Sequence, residues 1–172
     1  MKGKIVGKRD SGASGKALKG RGKAAEEPQE SAHLLHSIVQ GFSIPAFVIG
    51  KDHRILFWNR ALERLSRIPM SEVVGTDQHW RAFYAEPRPC MADLLVDGKK
   101  ERILKWYEGK YRKSDLLDEA FEAVDFFPDL GEKGVWLRFT AAAIRDKRRK
   151  LIGAIETLED ISDRMTAELK QR

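Results

Sequence analysis

Apolar residues recur along this chain with two periods. From Ser31 to Phe42 they fall at Leu34, Leu35, Ile38, Val39 and Phe42, the spacing of one helix face. Ser31 is placed to cap that helix and Gly41 to stop it, so an amphipathic helix is expected over residues 32–43. Strand-sized apolar runs follow, Ala46 to Gly50 and Ile55 to Trp58, across the turn Lys51-Asp52-His53-Arg54. Asn59 can cap a helix from Arg60 to Ser66 with Ala61, Leu62 and Leu65 inward, and Pro69 ends it. Ser71 caps a short turn closed by Gly75.

Near the C-terminus, Val135, Leu137 and Phe139 alternate with Trp136, Arg138 and Thr140. The basic turn Arg145–Lys150 separates that strand from a second, Leu151 to Asp160. The chain then runs without a loop into a helical pattern. Asp160 is placed as its cap, Asp163 stands in its first turn, and Leu158, Ile161, Met165 and Leu169 make a narrow stripe. Together these elements predict an α+β architecture, five strands in one antiparallel sheet with helices on a single face.

Composition modifies this picture at the N-terminus. Residues 1–25 hold eight Lys or Arg against Asp10, which exceeds the whole net charge of +6. The remainder is therefore near neutral, and the basic character gives no argument for a nucleic-acid-binding fold. Residues 1–31 have few large apolar groups and are expected to be a disordered basic tail. Cys90 is the single cysteine, so no intrachain disulfide forms. No apolar run reaches the ~20 residues of a membrane span, and the start lacks the apolar core of a signal peptide. A cytoplasmic location is expected. His33 and His36 lie one turn apart, but two ligands without a nearby Cys or further His read as a solvated helix face, and no metal site is assigned.

The middle, residues 76–134, concentrates aromatics: nine of the fifteen in the chain, among them Trp80, Phe83, Tyr84, Trp106 and Tyr107. Such density reads either as core or as the wall of a small-molecule pocket with a few polar anchors. No phosphate loop, His-Glu-x-x-His, nucleophile elbow or cysteine pair is present, so no enzyme is expected.

Trp58-Asn59-Arg60-Ala61, Leu65, and Ser71-Glu72-Val73-Val74-Gly75 resemble the first half of a PAS domain, a sensory module of bacterial signalling proteins. Asp160-Ile-Ser-Asp-Arg164 resembles the Asp-Ile-Thr-Glu-Arg junction that closes many such domains. The resemblance covers about residues 44–164, which divides the chain into a tail (1–31), an N-terminal helix (32–43), a PAS domain (44–160) and the start of a C-terminal signalling helix (161–172). One residue departs from it: Arg67 stands where the family often has Gly. The resemblance implies that the middle segment packs over the sheet where ligands sit, and it makes His79, Trp80, Phe83, Tyr84, Arg88, Phe139, Ile155 and Thr157 candidates for one pocket, with Arg81 a further anchor. It implies an output junction at Asp160, Ile161 and Arg164. No cofactor is assigned; haem on His79 is a minority reading, and a flavin adduct on Cys90 lacks the sequence context of photoreceptors. A homodimer is expected, with a sensor kinase or other signalling protein as partner and no specific nucleic acid. The rival readings are a ligand-free docking domain and the sensor fragment of a histidine kinase or diguanylate cyclase.

Overall fold

The computed structural model describes residues 23–115 and 119–171. The chain divides into two compact units after Leu34. Helix α1 covers Lys23–Gly41, so it starts upstream of Ser31, within the stretch expected to be disordered; residues 1–22 lie outside the described residues.

In the second unit the elements run β1 (Ala46–Gly50), β2 (Ile55–Trp58), α2 (Arg60–Ser66), α3 (Met70–Val73), a 3-10 turn (Gln78–Ala82), α4 (Met91–Val96), α5 (Lys100–Trp106), β3 (Tyr111–Lys113), β4 (Ala120–Phe127), β5 (Val135–Arg145), β6 (Leu151–Asp160) and α6 (Ser162–Lys170). The strands form one antiparallel sheet in the order β2-β1-β6-β5-β4-β3. It has six strands, not five. The additional one, β3, is three residues long and includes Arg112 and Lys113, so no apolar alternation announces it.

One face of the sheet is buried. Phe47 and Ile49 of β1, Leu137, Phe139 and Ala141 of β5, and Ala154 and Leu158 of β6 pack with Leu62 of α2, Val73 of α3, Met91 and Leu94 of α4 and Ile103 of α5. Burial of a large apolar side chain contributes about 1.5–3 kcal/mol, so this layer dominates the fold. Asn59 ties the sheet to α2. Its Oδ1 accepts from Leu62 N–H and Ala46 N–H, each at 3.0 Å, and its Nδ2 donates to Ile44 C=O at 2.7 Å.

The β5–β6 register carries an irregularity. Phe139 pairs with Leu158, and Ile144 pairs with Gly153, but Arg145 pairs with Leu151. Ile152 is the extra residue of a bulge, and one extra residue exchanges the faces of everything beyond it. Gly153 sits where the ladder is tight: a Cβ there would lie 2.3 Å from the Ile49 carbonyl oxygen.

Arg67 closes α2 at φ 60°, in the left-handed region, and its side chain is exposed. A side chain costs about 1 kcal/mol more than glycine there. Arg67→Gly is therefore expected to raise the melting temperature by about 2–4 °C. A lower melting temperature in calorimetry would show that the arginine makes compensating contacts.

Candidate functional site: a buried polar cluster

The segment Glu86-Pro-Arg88-Pro-Cys90 delivers the chain to the start of α4, with Cys90 extended at the cap position. Asp93, three residues on, turns its carboxylate back to accept from the Cys90 N–H at 2.8 Å through Oδ2. The same oxygen faces His79 Nε2 at 2.7 Å, and Oδ1 faces His53 Nδ1 at 2.6 Å. His53 sits at φ 64° in the β1–β2 turn and reaches Asp97 Oδ1 with its other nitrogen at 2.9 Å.

This arrangement fixes protonation. Burial disfavours charge on His53, but Asp93 and Asp97 outweigh it and raise the imidazole pKa. Burial likewise works against charge on Asp93, yet hydrogen bonds from His79, His53 and the Cys90 backbone hold its pKa below the ordinary carboxylate value. His79 faces an acceptor, so its Nε2 carries the proton; Nδ1 is buried without a partner. The His79 ring stacks on Phe47 at 5.3 Å between centroids.

A second group lies beside the first. Glu156 projects from the inner face of β6, fully buried, and Oε2 accepts from Ala92 N–H of α4 at 2.9 Å. Burial pushes its pKa up to about 8, the Ala92 N–H pulls it partly back, and the Asp93 charge adds to the rise. Burial also raises the Cys90 thiol pKa, helped by Glu156 and Asp93. The Arg88 guanidinium lies over the rings of Tyr84 (4.0 Å) and Trp106 (4.8 Å). Burial raises the pKa values of Tyr84 and Tyr107. The Tyr107 hydroxyl is close enough to act on that of Tyr84 but lacks a hydrogen-bond partner of ordinary geometry.

The sequence candidates separate into two sets. His79, Phe83, Tyr84 and Phe139 join through Phe47 and Phe127 in a chain of ring contacts of 5.3–6.1 Å; Arg88 stacks on its edge, and Trp80 packs against the same core. Ile155 and Thr157 do not belong. They face the other side of the sheet, because the Ile152 bulge gives Phe139 Leu158 as its partner. Arg81 is exposed, pairing with Glu72 at 3.5 Å and donating to Gln78. Asp93, Glu156, His53 and Tyr107 belong to the cluster without being among the sequence candidates. Two signals in the sequence point toward them: the capping-box spacing Cys90–Asp93, and the alternation of Glu156 with Ala154 and Leu158.

Haem does not fit at His79. Its face lies on Phe47 and the residue is 2% exposed, so a macrocycle has no room beside the ring.

The junction differs in detail from expectation. Asp160 is still paired in β6, opposite Leu137, so Ile161 occupies the helix cap position. Asp160 Oδ1 accepts from Ser162 N–H at 2.9 Å. Ile161 N–H donates to Trp136 C=O (2.9 Å), and Trp136 N–H donates to Ser162 Oγ (3.0 Å), fastening the junction to β5. Arg164 pairs with Glu168 at 3.0 Å. Ile161 is buried, Met165 half-buried and Leu169 exposed. Ile161 and Met165 line one side of a groove of about 250 Å³ on the outer sheet face; Val124, Arg112 and Arg138 line the other. A second recess of about 330 Å³ adjoins it around Arg138, Thr140 and Glu159.

Comparison with known proteins agrees with this fold. The family model described as PAS domain matches residues 44–163. The PAS domain of BvgS from Bordetella pertussis is similar in structure, with a TM-score of 0.51 and 16% identity over 83% of this chain and 99% of that one. An RNA-binding light-oxygen-voltage receptor is also similar, with a TM-score of 0.54 and 17% identity over 92% of this chain; the match covers 40% of the receptor. At such identities the likeness concerns the fold. None of the curated proteins compared with the chain matches it in sequence. Among the described residues no helix is long and apolar enough to cross a membrane.

Proposed function

Because the chain belongs to the PAS domain family, we propose that it acts as a sensory and interaction module that receives a signal at the buried cluster and passes it through β6 to α6. One observation carries this reading: β6 touches both ends of the path. Glu156 holds α4 through Ala92, and a few residues later the same strand becomes the Asp160–Ser162 junction. A shift of α4 thus has a direct route to the base of α6. The input is a small ligand or the state of a partner; the output acts on a second copy of the chain, a sensor kinase or another signalling protein. Leu35 and Ile38 of α1, and Phe42 just after it, are exposed, which supports a homodimer. A ligand-free docking domain is the second reading, favoured by the edge-to-face packing of Phe83 and Phe139 on Phe127.

The test is Ile161→Asp with Met165→Asp. The double variant is expected to lose amide protection over residues 162–170 and to sediment as a lighter species, while its far-ultraviolet circular dichroism keeps the sheet signal. Unchanged protection would mean that α6 is not held by these two side chains. An unchanged sedimentation coefficient would place self-association elsewhere.

A further inference from the structure

We propose that His79, Cys90 and Asp93 form a binding site for a divalent transition-metal ion of the zinc type. One donor atom from each, an imidazole nitrogen, the thiol sulfur and a carboxylate oxygen, lie within 4.8 Å of one another, and all three residues are buried. Nitrogen and sulfur together select borderline metals over magnesium or calcium. Three protein ligands leave a fourth position of a tetrahedron for water or a small ligand.

Charge supports the assignment. An Asp93 carboxylate and a Cys90 thiolate neutralise a divalent ion, and a neutral imidazole adds nothing. The complex has no net charge to bury, which removes the main cost of placing an ion in a protein core. Binding forms bonds from the metal to Nε2, Sγ and Oδ2. The Cys90 Sγ–H bond breaks, and its proton leaves to solvent. The imidazole keeps one proton, which moves from Nε2 to the unpartnered Nδ1, and the Nε2–H···Oδ2 hydrogen bond to Asp93 is broken and replaced by the two metal bonds. The supporting contact is in place as well. His53 holds Asp93 through Oδ1 at 2.6 Å, which leaves Oδ2 facing His79. Sequence spacing alone conceals this set, because His79 lies on the 3-10 turn while Cys90 and Asp93 lie at the start of α4.

The site stands independently of the signalling role of α6, and so does its test. The reduced full-length protein is titrated with Co²⁺ and followed by absorption. A thiolate-to-cobalt charge-transfer band is expected to saturate at one equivalent per chain and to disappear when Zn²⁺ is added. Cys90 is the single cysteine, so the wild-type band by itself identifies the sulfur ligand. Cys90→Ser is expected to remove the band and weaken binding at least tenfold. A His33→Ala, His36→Ala variant is expected to keep the band. No charge-transfer band in the wild type overturns the proposal, as does a band that vanishes with His33 and His36.

Discussion

Asn59→Ala is expected to destabilise the protein by roughly 2–4 kcal/mol, since a buried polar group left unpaired costs about 1–3 kcal/mol and a lost helix cap about 1 kcal/mol. The side chain is fully buried and serves three backbone groups. Leu62 N–H keeps a second acceptor in the Asn59 carbonyl, and Ile44 is exposed so that water can serve its carbonyl, but the buried Ala46 N–H depends on the side chain. The variant therefore loses both a helix cap and the fastening of β1 to α2. Urea unfolding should show a lower midpoint with an unchanged slope. A loss below about 1 kcal/mol would show that backbone shifts or water restore the missing partners.

Glu156→Gln is expected to change how stability depends on pH. In the folded protein the carboxyl titrates near pH 8, against an ordinary value of 4.5. Between those values the folded state holds a proton that the unfolded chain has released. Stability from this group therefore falls as pH rises through the window, and the full penalty is reached above pH 8. Glutamine keeps an oxygen for the Ala92 N–H and cannot ionise. Each tenfold change in proton affinity between the two states corresponds to about 1.4 kcal/mol, so the variant should gain roughly 2–4 kcal/mol over the wild type at pH 8 and little at pH 5. His53 also titrates with a raised pKa, but it is common to both proteins and drops out of the difference. The measurement is a pair of melting curves across that range, with a chelator present. Parallel pH profiles would mean that water reaches Glu156.

Local periodicity makes much of this fold legible. The blocks Trp58–Gly75 and Val135–Asp160 place their apolar side chains at the spacing of the elements they form. Asn59 occupies the cap that the sequence marks for it, and Arg67 takes the left-handed conformation at the position where the family often has Gly. Register is harder to read. A regular hairpin would group Phe139 with Ile155 and Thr157. The extra residue Ile152 instead places Glu156 in the core and turns its two neighbours outward. The alternation of Ala154, Glu156 and Leu158 favours that face, but Ile155 and Thr157 alternate as well for the other, so the local pattern does not locate the bulge. β3 is hidden for a different reason, because a three-residue strand shows too few alternations to register. The polar cluster is half visible. His79, Tyr84 and Arg88 stand out by their chemistry, whereas Asp93 and His53 meet across forty residues of sequence and only the fold joins them.

The placement of β1 beside β6 governs how the domain transmits load. Leu158 N–H donates to Pro45 C=O at 2.8 Å, and Ala46 lies opposite Thr157, so the strand that begins the domain and the strand that ends it share one doorway. Tension between residue 44 and residue 161 does not slide the two strands past each other. Because they run antiparallel, it opens the ladder rung by rung from that end, like a zip. The first rungs to part lie beside Leu158 and Thr157, immediately before the junction that launches α6. The domain is thus mechanically soft where its flanking segments attach and stiff toward the far turn, where Gly153 packs against Ile49.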